Sequence, residues 1–363
     1  MEKAVIAMSG GVDSSVAAAL MKEQGYEVAG IMLKLYSNEE IGVCREKTCC
    51  SLSDAEDARG VADQLGMPFY MLNFSDAFEE AVIRQFVAAY RGGETPNPCI
   101  ECNRRIKFEG LLQRVLAMGF DCLATGHYAS VRRDPETGRW LLETGADPDK
   151  DQSYMLYTLT QEQLSRLRFP LGGLTKEAVR GMAEKYGLLN ARKRESQDIC
   201  FVQDGDYAGF IRRYTGTADV PGQFVGSGGE AYGPHKGITH YTMGQRKGLG
   251  LSFPRPMYVG GIDPVKGEVL LVTQEALYRD TLYAREVNLI SVERLDRPLR
   301  VKAKIRYHHQ PAPATAVMTE GRLKLVFDEP QRAVTRGQSV VMYQGRTVVG
   351  GGVIDQIGES EGL

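Results

Sequence analysis

Hydrophobic and polar positions fall into two textures along the chain. Up to about residue 204, short apolar blocks alternate with amphipathic stretches. Ala4-Val5-Ile6-Ala7, Val28–Leu33, Phe69–Leu72 and Cys122–Thr125 have the length and composition of buried strands. Between them, apolar residues return at helical spacing. One helix follows Ser14. A second is announced by a capping box at Ser53-Asp54-Ala55-Glu56 and carries Ala58, Val61, Ala62 and Leu65. Two more are expected at Phe78–Tyr90 and Arg104–Met118. Strands alternating with helices predict an α/β fold with a doubly wound parallel sheet. Ligands in such sheets lie beyond the carboxyl ends of the strands. The loops at Ala7–Ser14, after Leu33 and at Gly126-His127 are therefore expected to share one crevice.

Beyond Asp204 the pattern changes. Glycine is dense from Gly205 to Gly261, with short β-prone pieces between. From about Tyr283 the period becomes two, clearest in Val301-Lys302-Ala303-Lys304-Ile305-Arg306-Tyr307. The expected organisation is a nucleotide-binding domain over 1–204, a small central domain over 205–282 and a C-terminal all-β barrel over 283–363.

The chain has 363 residues and a net charge of −2, so no global basicity advertises nucleic acid. Local patches can still bind it. Lys302, Lys304 and Arg306 fall on one side of a strand, after Arg294, Arg297 and Arg300. That stripe suits a phosphate backbone or a plain solvated face. No apolar stretch is long enough to span a bilayer. Seven cysteines without a secretory signal point to a reducing compartment, the cytoplasm.

The chemistry starts at the first strand–loop–helix unit: Ala7, Met8, Ser9, Gly10, Gly11, Val12, Asp13 and Ser14. A helix N-terminus behind a glycine loop binds phosphate. Asp13 would repel a bare phosphate and is expected to reach an accompanying Mg²⁺. The Walker loop requires Gly-Lys-Ser/Thr, which occurs nowhere in the chain. Ser9-Gly-Gly-Val-Asp-Ser14 instead resembles the pyrophosphate loop of enzymes that split ATP between its α and β phosphates.

A second group is Asn97-Pro98-Cys99-Ile100-Glu101-Cys102-Asn103, followed by Arg104, Arg105 and Lys107. Neighbouring cations lower a thiol's pKa, so a reactive thiolate is expected there. Cys200 lies far downstream in Ser196-Gln197-Asp198-Ile199-Cys200-Phe201. Cys122, inside an apolar strand, suits a plain buried residue. Cys44, Cys49 and Cys50 suit a loop near the crevice.

With these motifs in order, the chain resembles the tRNA-specific 2-thiouridylase family over nearly its whole length. Ala124-Thr-Gly-His-Tyr128, Lys150-Asp-Gln-Ser-Tyr154, Gly233-Pro-His235, Gly244-Gln-Arg246 and Gly350-Gly-Gly352 add to the likeness. The resemblance implies ATP on Ala7–Ser14, with Leu33 and Gly126 near its base or ribose. It implies Cys102 and Cys200 as the catalytic pair. Cys200 would carry a persulfide, and Cys102 would close a disulfide with it or activate the transfer. Asn97, Pro98, Cys99, His127, Lys150, Asp151 and Gln152 would meet the target base, and Arg306, Tyr307 and Gln338 the tRNA. His127 equally suits the nucleotide side. The implied partners are tRNAs of the Lys, Glu and Gln type and a sulfur donor, either a relay carrier protein or a cysteine desulfurase.

One departure is Cys99, where many members carry aspartate. It makes Cys99, Cys102 and Cys200 an alternative ligand set for a [4Fe-4S] cluster with one open iron. Zinc would lack a fourth ligand. Two rival classes remain: an amidating or argininosuccinate-type ligase, and a non-catalytic nucleotide sensor. Neither gives the thiols or the β-domains a task.

Overall fold

The computed structural model describes residues 1–36, 52–193, 199–202 and 205–358. They form two compact units. The first comprises residues 1–82, 99–203 and 345–349, and the second residues 83–98, 204–344 and 350–363.

The first unit is built on a parallel sheet. Its strands are β1 (Lys3–Ala7), β2 (Glu27–Lys34), β3 (Phe69–Asn73), β4 (Cys122–Thr125) and, after a hairpin of β5 (Ala129–Arg133) and β6 (Trp140–Thr144), β7 (Leu167–Arg168). The order is β3-β2-β1-β4-β7. Ala4 faces Val28 on one side and Cys122 on the other, and Ala7 faces Ile31 and Thr125. Ala4, Val5 and Ile6 have no exposed surface, as central parallel strands covered on both faces require. The helix Val12–Glu23 packs Val16, Ala17 and Met21 into the same core as Val61 and Ala62 of the helix Leu52–Gln64. That second helix opens one residue before the expected capping serine. Successive strands are added on opposite sides of β1, so the crevice at its carboxyl end lies at a change of winding direction.

The expected helix Arg104–Met118 starts earlier. It runs through Pro98–Glu101, widens into a π-helix over Cys102–Leu111 and closes as Leu112–Ala117. π-Helical segments are rare and frequent at functional sites.

The second unit holds a sheet of β8 (Gly222–Val225), β9 (Ala231–His235), β10 (Tyr258–Asp263) and β11 (Glu268–Val272), in the order β10-β11-β8-β9. Its glycines serve close packing: a Cβ on Gly260 would strike the Val272 side chain at 2.5 Å. Then come β12 (Tyr278–Leu289), β13 (Leu299–Lys304), β14 (Ala312–Thr319), β15 (Arg322–Arg332), β16 (Ser339–Gln344) and β17 (Thr347–Ile357). They run β12-β15-β14-β13-β16-β17, and β12 pairs again with β17, closing a barrel that leaves no open edge. Val301, Ala303 and Ile305 point inward and Lys302 outward, as the alternation predicts.

The helix Arg84–Arg91 belongs to this second unit although its sequence lies within the nucleotide-binding half. Its aromatic side chains explain why. Phe86 sits 6.1 Å from Phe210, and Tyr90 stacks on Tyr207 at 5.8 Å. Both partners come from the helix Tyr207–Thr215, which the glycine-rich texture of that region had hidden.

Candidate active site

The loop between β1 and the first helix is held by backbone shape. Gly10 has φ +71°, and a Cβ there would run into the Asp54 carbonyl. Only glycine meets both conditions without strain. The Ser14 and Ser15 hydroxyls each donate to the Gly11 carbonyl at 3.0 Å, and the Ser9 N–H donates to Ser14 Oγ at 3.2 Å. Gly126 closes the other side, where a Cβ would lie 2.8 Å from the Asp13 backbone. Met8 is buried, and its N–H donates to the Ile31 carbonyl at 2.8 Å. Leu33 pairs in register with Leu72 at the end of β2. Asn190, 4% exposed, donates to the Gly10 carbonyl at 3.0 Å and to Ser15 Oγ at 2.9 Å.

Asp13 does not present an open carboxylate. Lys176 Nζ approaches its two oxygens at 2.7 and 2.9 Å, and the Tyr128 hydroxyl donates to Oδ1 at 2.8 Å. Lys176 is 9% exposed and lies over the Tyr128 ring at 5.9 Å. In this structure the Asp13 carboxylate is the ion-pair partner of Lys176, a cation beside the loop.

At Cys102 burial runs against the lowered pKa that the neighbouring cations suggest. Burial raises its pKa above the ordinary thiol value, and the nearby Lys107 only partly opposes this. Arg104 and Arg105 do not help, because each pairs along the helix surface, with Glu101 at 3.7 Å and Glu109 at 3.1 Å. In the wider π-helical turn, Lys107 Nζ donates to Asn103 Oδ1 at 3.0 Å, and Asn103 Nδ2 donates to the Met155 carbonyl at 3.1 Å. Cys99, near the start of the same helix, is exposed.

Cys200 is half-buried. The Tyr36 hydroxyl donates to its backbone carbonyl at 2.7 Å. Tyr36 packs on Phe78 at 5.9 Å, and Phe78 on Phe201 at 5.8 Å, so an aromatic row fixes the end of the Cys200 segment. Ser196, Gln197, Asp198, Cys44, Cys49 and Cys50 lie outside the described residues.

His127 Nδ1 meets the Thr125 hydroxyl at 2.6 Å, and its ring stands 5.7 Å from Phe108 and 5.9 Å from Phe169. Burial first, and Lys107 second, hold its pKa well below the usual imidazole value. It is a neutral hydrogen-bonding group at pH 7. Gln152 clasps the Tyr128 backbone from both ends, at 3.0 and 2.9 Å. Asp151 is 8% exposed, and its carboxylate accepts from the Gly145 and Ser153 N–H groups and the Ser153 hydroxyl. Those bonds make it a loop-shaping residue. Lys150 is half-buried beside it.

In the second unit, Asn97 is half-buried and Pro98 buried. The Arg306 guanidinium donates to the carbonyls of Arg332 and Ala333 at 2.7 and 3.0 Å. Tyr307 lies under Lys304 Nζ at 5.9 Å. Gln338 donates to the Thr95 carbonyl at 2.7 Å. Arg300 is bidentate to Asp328 at 2.8 and 2.6 Å, and Arg294 pairs with Asp296 at 2.5 Å. Much of the basic stripe is thus committed to local partners, while Lys302 is exposed.

Family comparisons follow this division of the chain. Residues 2–204 match a tRNA methyl transferase HUP domain, 208–273 a tRNA methyl transferase PRC-barrel domain and 279–354 an aminomethyltransferase β-barrel domain. A relative named tRNA-specific 2-thiouridylase MnmA from Clostridioides difficile is 49% identical over 98% of both chains. Those of the same name from Acetivibrio thermocellus and Moorella thermoacetica are 50% and 51% identical, over 97% and 98% of this chain and 99% and 100% of theirs. The chain belongs to the tRNA-specific 2-thiouridylase family.

The family-model descriptions speak of methyl transfer, whereas the relatives are named for thiolation. Cys102 and Cys200, two of the four described cysteines of the first unit, agree with the relatives' name. Among solved structures, a 4-thiouridine synthetase–RNA complex with ATP is 17% identical with a TM-score of 0.39, over 56% of this chain and 46% of that chain, too loose a likeness to bear on function.

For a 2-thiouridylase-family chain, the first unit brings together much that the sequence pointed to: the loop, Gly126, Tyr128 and the clasp at Gln152. Among the described residues, no group of three or more Cys, His, Asp or Glu side chains gathers as a metal site. Cys99, Cys102 and Cys200 thus do not converge as cluster ligands. Sequence reasoning missed Lys176 and Asn190, which reach the loop from 163 and 175–180 residues away. Lys193 meets Asp54 and Asp57 at 2.5 Å each. No helix among the described residues is long and apolar enough to cross a membrane.

Proposed function

We propose that this protein is an ATP-dependent tRNA uridine 2-sulfurtransferase acting on the wobble base of Lys-, Glu- and Gln-type tRNAs. The observation that carries the reading is that one compact unit holds the pyrophosphate loop together with Cys102 and Cys200, neither of them in a disulfide. Magnesium arrives with ATP as part of the substrate. The uridine O2 attacks the α-phosphate, and pyrophosphate leaves. Lys176 and the N-terminus of the Val12–Glu23 helix offset the charge on the phosphates. The base must leave its stack to be reached.

Sulfur then comes from a persulfide on Cys200. The Cys102 thiolate attacks the inner sulfur of that persulfide and closes a Cys102–Cys200 disulfide. The outer sulfur, released with the electron pair of the broken S–S bond, adds to C2, and AMP leaves with the O2 oxygen. A thiol reductant returns two electrons to the disulfide. Burial raises the Cys102 pKa, so exposure of this thiol on substrate binding would favour the step. The sulfur donor is a relay carrier or a cysteine desulfurase, and the location is the cytoplasm, where thiols stay reduced. The cluster alternative has less support, since the three cysteines are not gathered.

The test is single-turnover thiolation with chelator-treated protein, tRNA, Mg-ATP and a persulfide donor, with 2-thiouridine scored by mass spectrometry. Product from the parent and none from Cys102→Ser or Cys200→Ser supports the reading. Product only after iron–sulfur reconstitution overturns the persulfide route. Pyrophosphate release that persists in both variants on a non-tRNA acceptor favours the ligase.

A further inference from the structure

The helix that carries Cys102 begins at Pro98, the last residue of a segment that belongs to the barrel-containing unit. Glu94 and Thr95, a few residues before it, are tied to that unit in detail. Glu94, with 17% of its side chain exposed, lies between two guanidinium groups: Arg336 at 3.4 Å and Arg285 at 3.6 Å. Arg285 stands on β12, and Arg336 on the turn before β16. The Thr95 N–H donates to the Arg336 carbonyl at 3.0 Å, and Gln338 donates to the Thr95 carbonyl at 2.7 Å. Gly337 has φ +85°, and a Cβ there would press on Glu94 Cβ at 3.0 Å and Thr95 N at 3.1 Å. At the other end, Gly93 has φ +73° and fits against Ile262 at 3.2 Å.

We propose that Glu94 is a positioning residue for sulfur transfer: held by Arg285 and Arg336, it sets the register in which Asn97 and Pro98 lead into the Cys102 helix. This rests on the sulfurtransferase reading. The surrounding contacts are short-range, and the chain from Glu94 to Pro98 is only five residues long, with prolines at 96 and 98. A proline fixes φ and restricts the residue before it. A shift at Glu94 is therefore transmitted along the segment instead of being absorbed.

The experiment compares Glu94→Ala, Glu94→Gln and the double variant Arg285→Met/Arg336→Met with the parent, all as full-length protein checked for folding. Two readouts are taken. Single-turnover 2-thiouridine formation at saturating tRNA and ATP should fall about tenfold in Glu94→Ala and less in Glu94→Gln, with ATP affinity within twofold of the parent. Alkylation of Cys102, followed by peptide mass spectrometry, should quicken about fivefold as the helix start loosens, while Cys99, already exposed, should change little. Equal Cys102 alkylation across the folded variants overturns the proposal. So does a loss confined to the KM for tRNA. The alkylation readout needs no turnover, so a parent that forms no 2-thiouridine overturns the functional reading without deciding this one.

Discussion

Lys176→Met is expected to weaken ATP binding about tenfold, and Asp13→Asn to leave it equal or tighter when magnesium is absent. The two groups form a neutral pair at 2.7 Å beside the phosphate loop. Removing the lysine leaves an unmatched carboxylate facing a polyanion. A unit charge about 5 Å from a phosphate charge, at an effective dielectric constant of about 20, contributes about 3 kcal/mol. Asp13 has 30% of its side chain exposed. Solvent screening at that exposure brings the figure to about 1.4 kcal/mol, one factor of ten in affinity. The assay is ATP titration by calorimetry without tRNA, once with chelator and once with Mg²⁺. If Asp13 were itself a magnesium ligand, the gain from adding Mg²⁺ would vanish in Asp13→Asn. With the carboxylate held by Lys176, that gain should persist. A Lys176→Met protein that binds ATP within twofold of the parent would refute the reasoning.

Three further outcomes follow from Cys102 and Gly10. Burial lifts the Cys102 pKa and Lys107 pulls it down, so Lys107→Met should slow Cys102 alkylation at neutral pH by a few-fold and move its pH profile upward. A raised folded-state thiol pKa also means that the stability this group contributes is present below the unfolded pKa and is lost as pH rises toward the folded one. A thermal-unfolding series above pH 8 checks that sign. Gly10→Ala places a side chain at φ +71° against the Asp54 backbone. It should cost about 2 kcal/mol or more and abolish ATP binding, readable as a lower Tm and a flat titration.

The sheet was legible because parallel strands buried on both faces must be continuously apolar, and β1, β2 and β4 are. The barrel was legible where Val301, Ala303 and Ile305 alternate with Lys302 and Lys304. The helix Tyr207–Thr215 was not, because glycine density masked the apolar face of a nine-residue helix that packs against Phe86 and Tyr90. The capping box was off by one residue because Ser53 lies inside its helix.

The site divides the same way. The sequence by itself determined the loop's backbone, since a strand, paired glycines and a helix start are local. It also supplied the thiols and, through motif order, the family. Tertiary structure decided their charge states. Cations adjacent in sequence to Cys102 turned outward to Glu101 and Glu109, so burial, which no local pattern reports, set the thiol's pKa. Asp13 found Lys176 across 163 residues, and residues 83–98 joined the barrel unit instead of the sheet they interrupt. Local backbone preference acts over a few residues and is written in order. Electrostatic pairing and burial act through space, and only the folded chain brings those partners together.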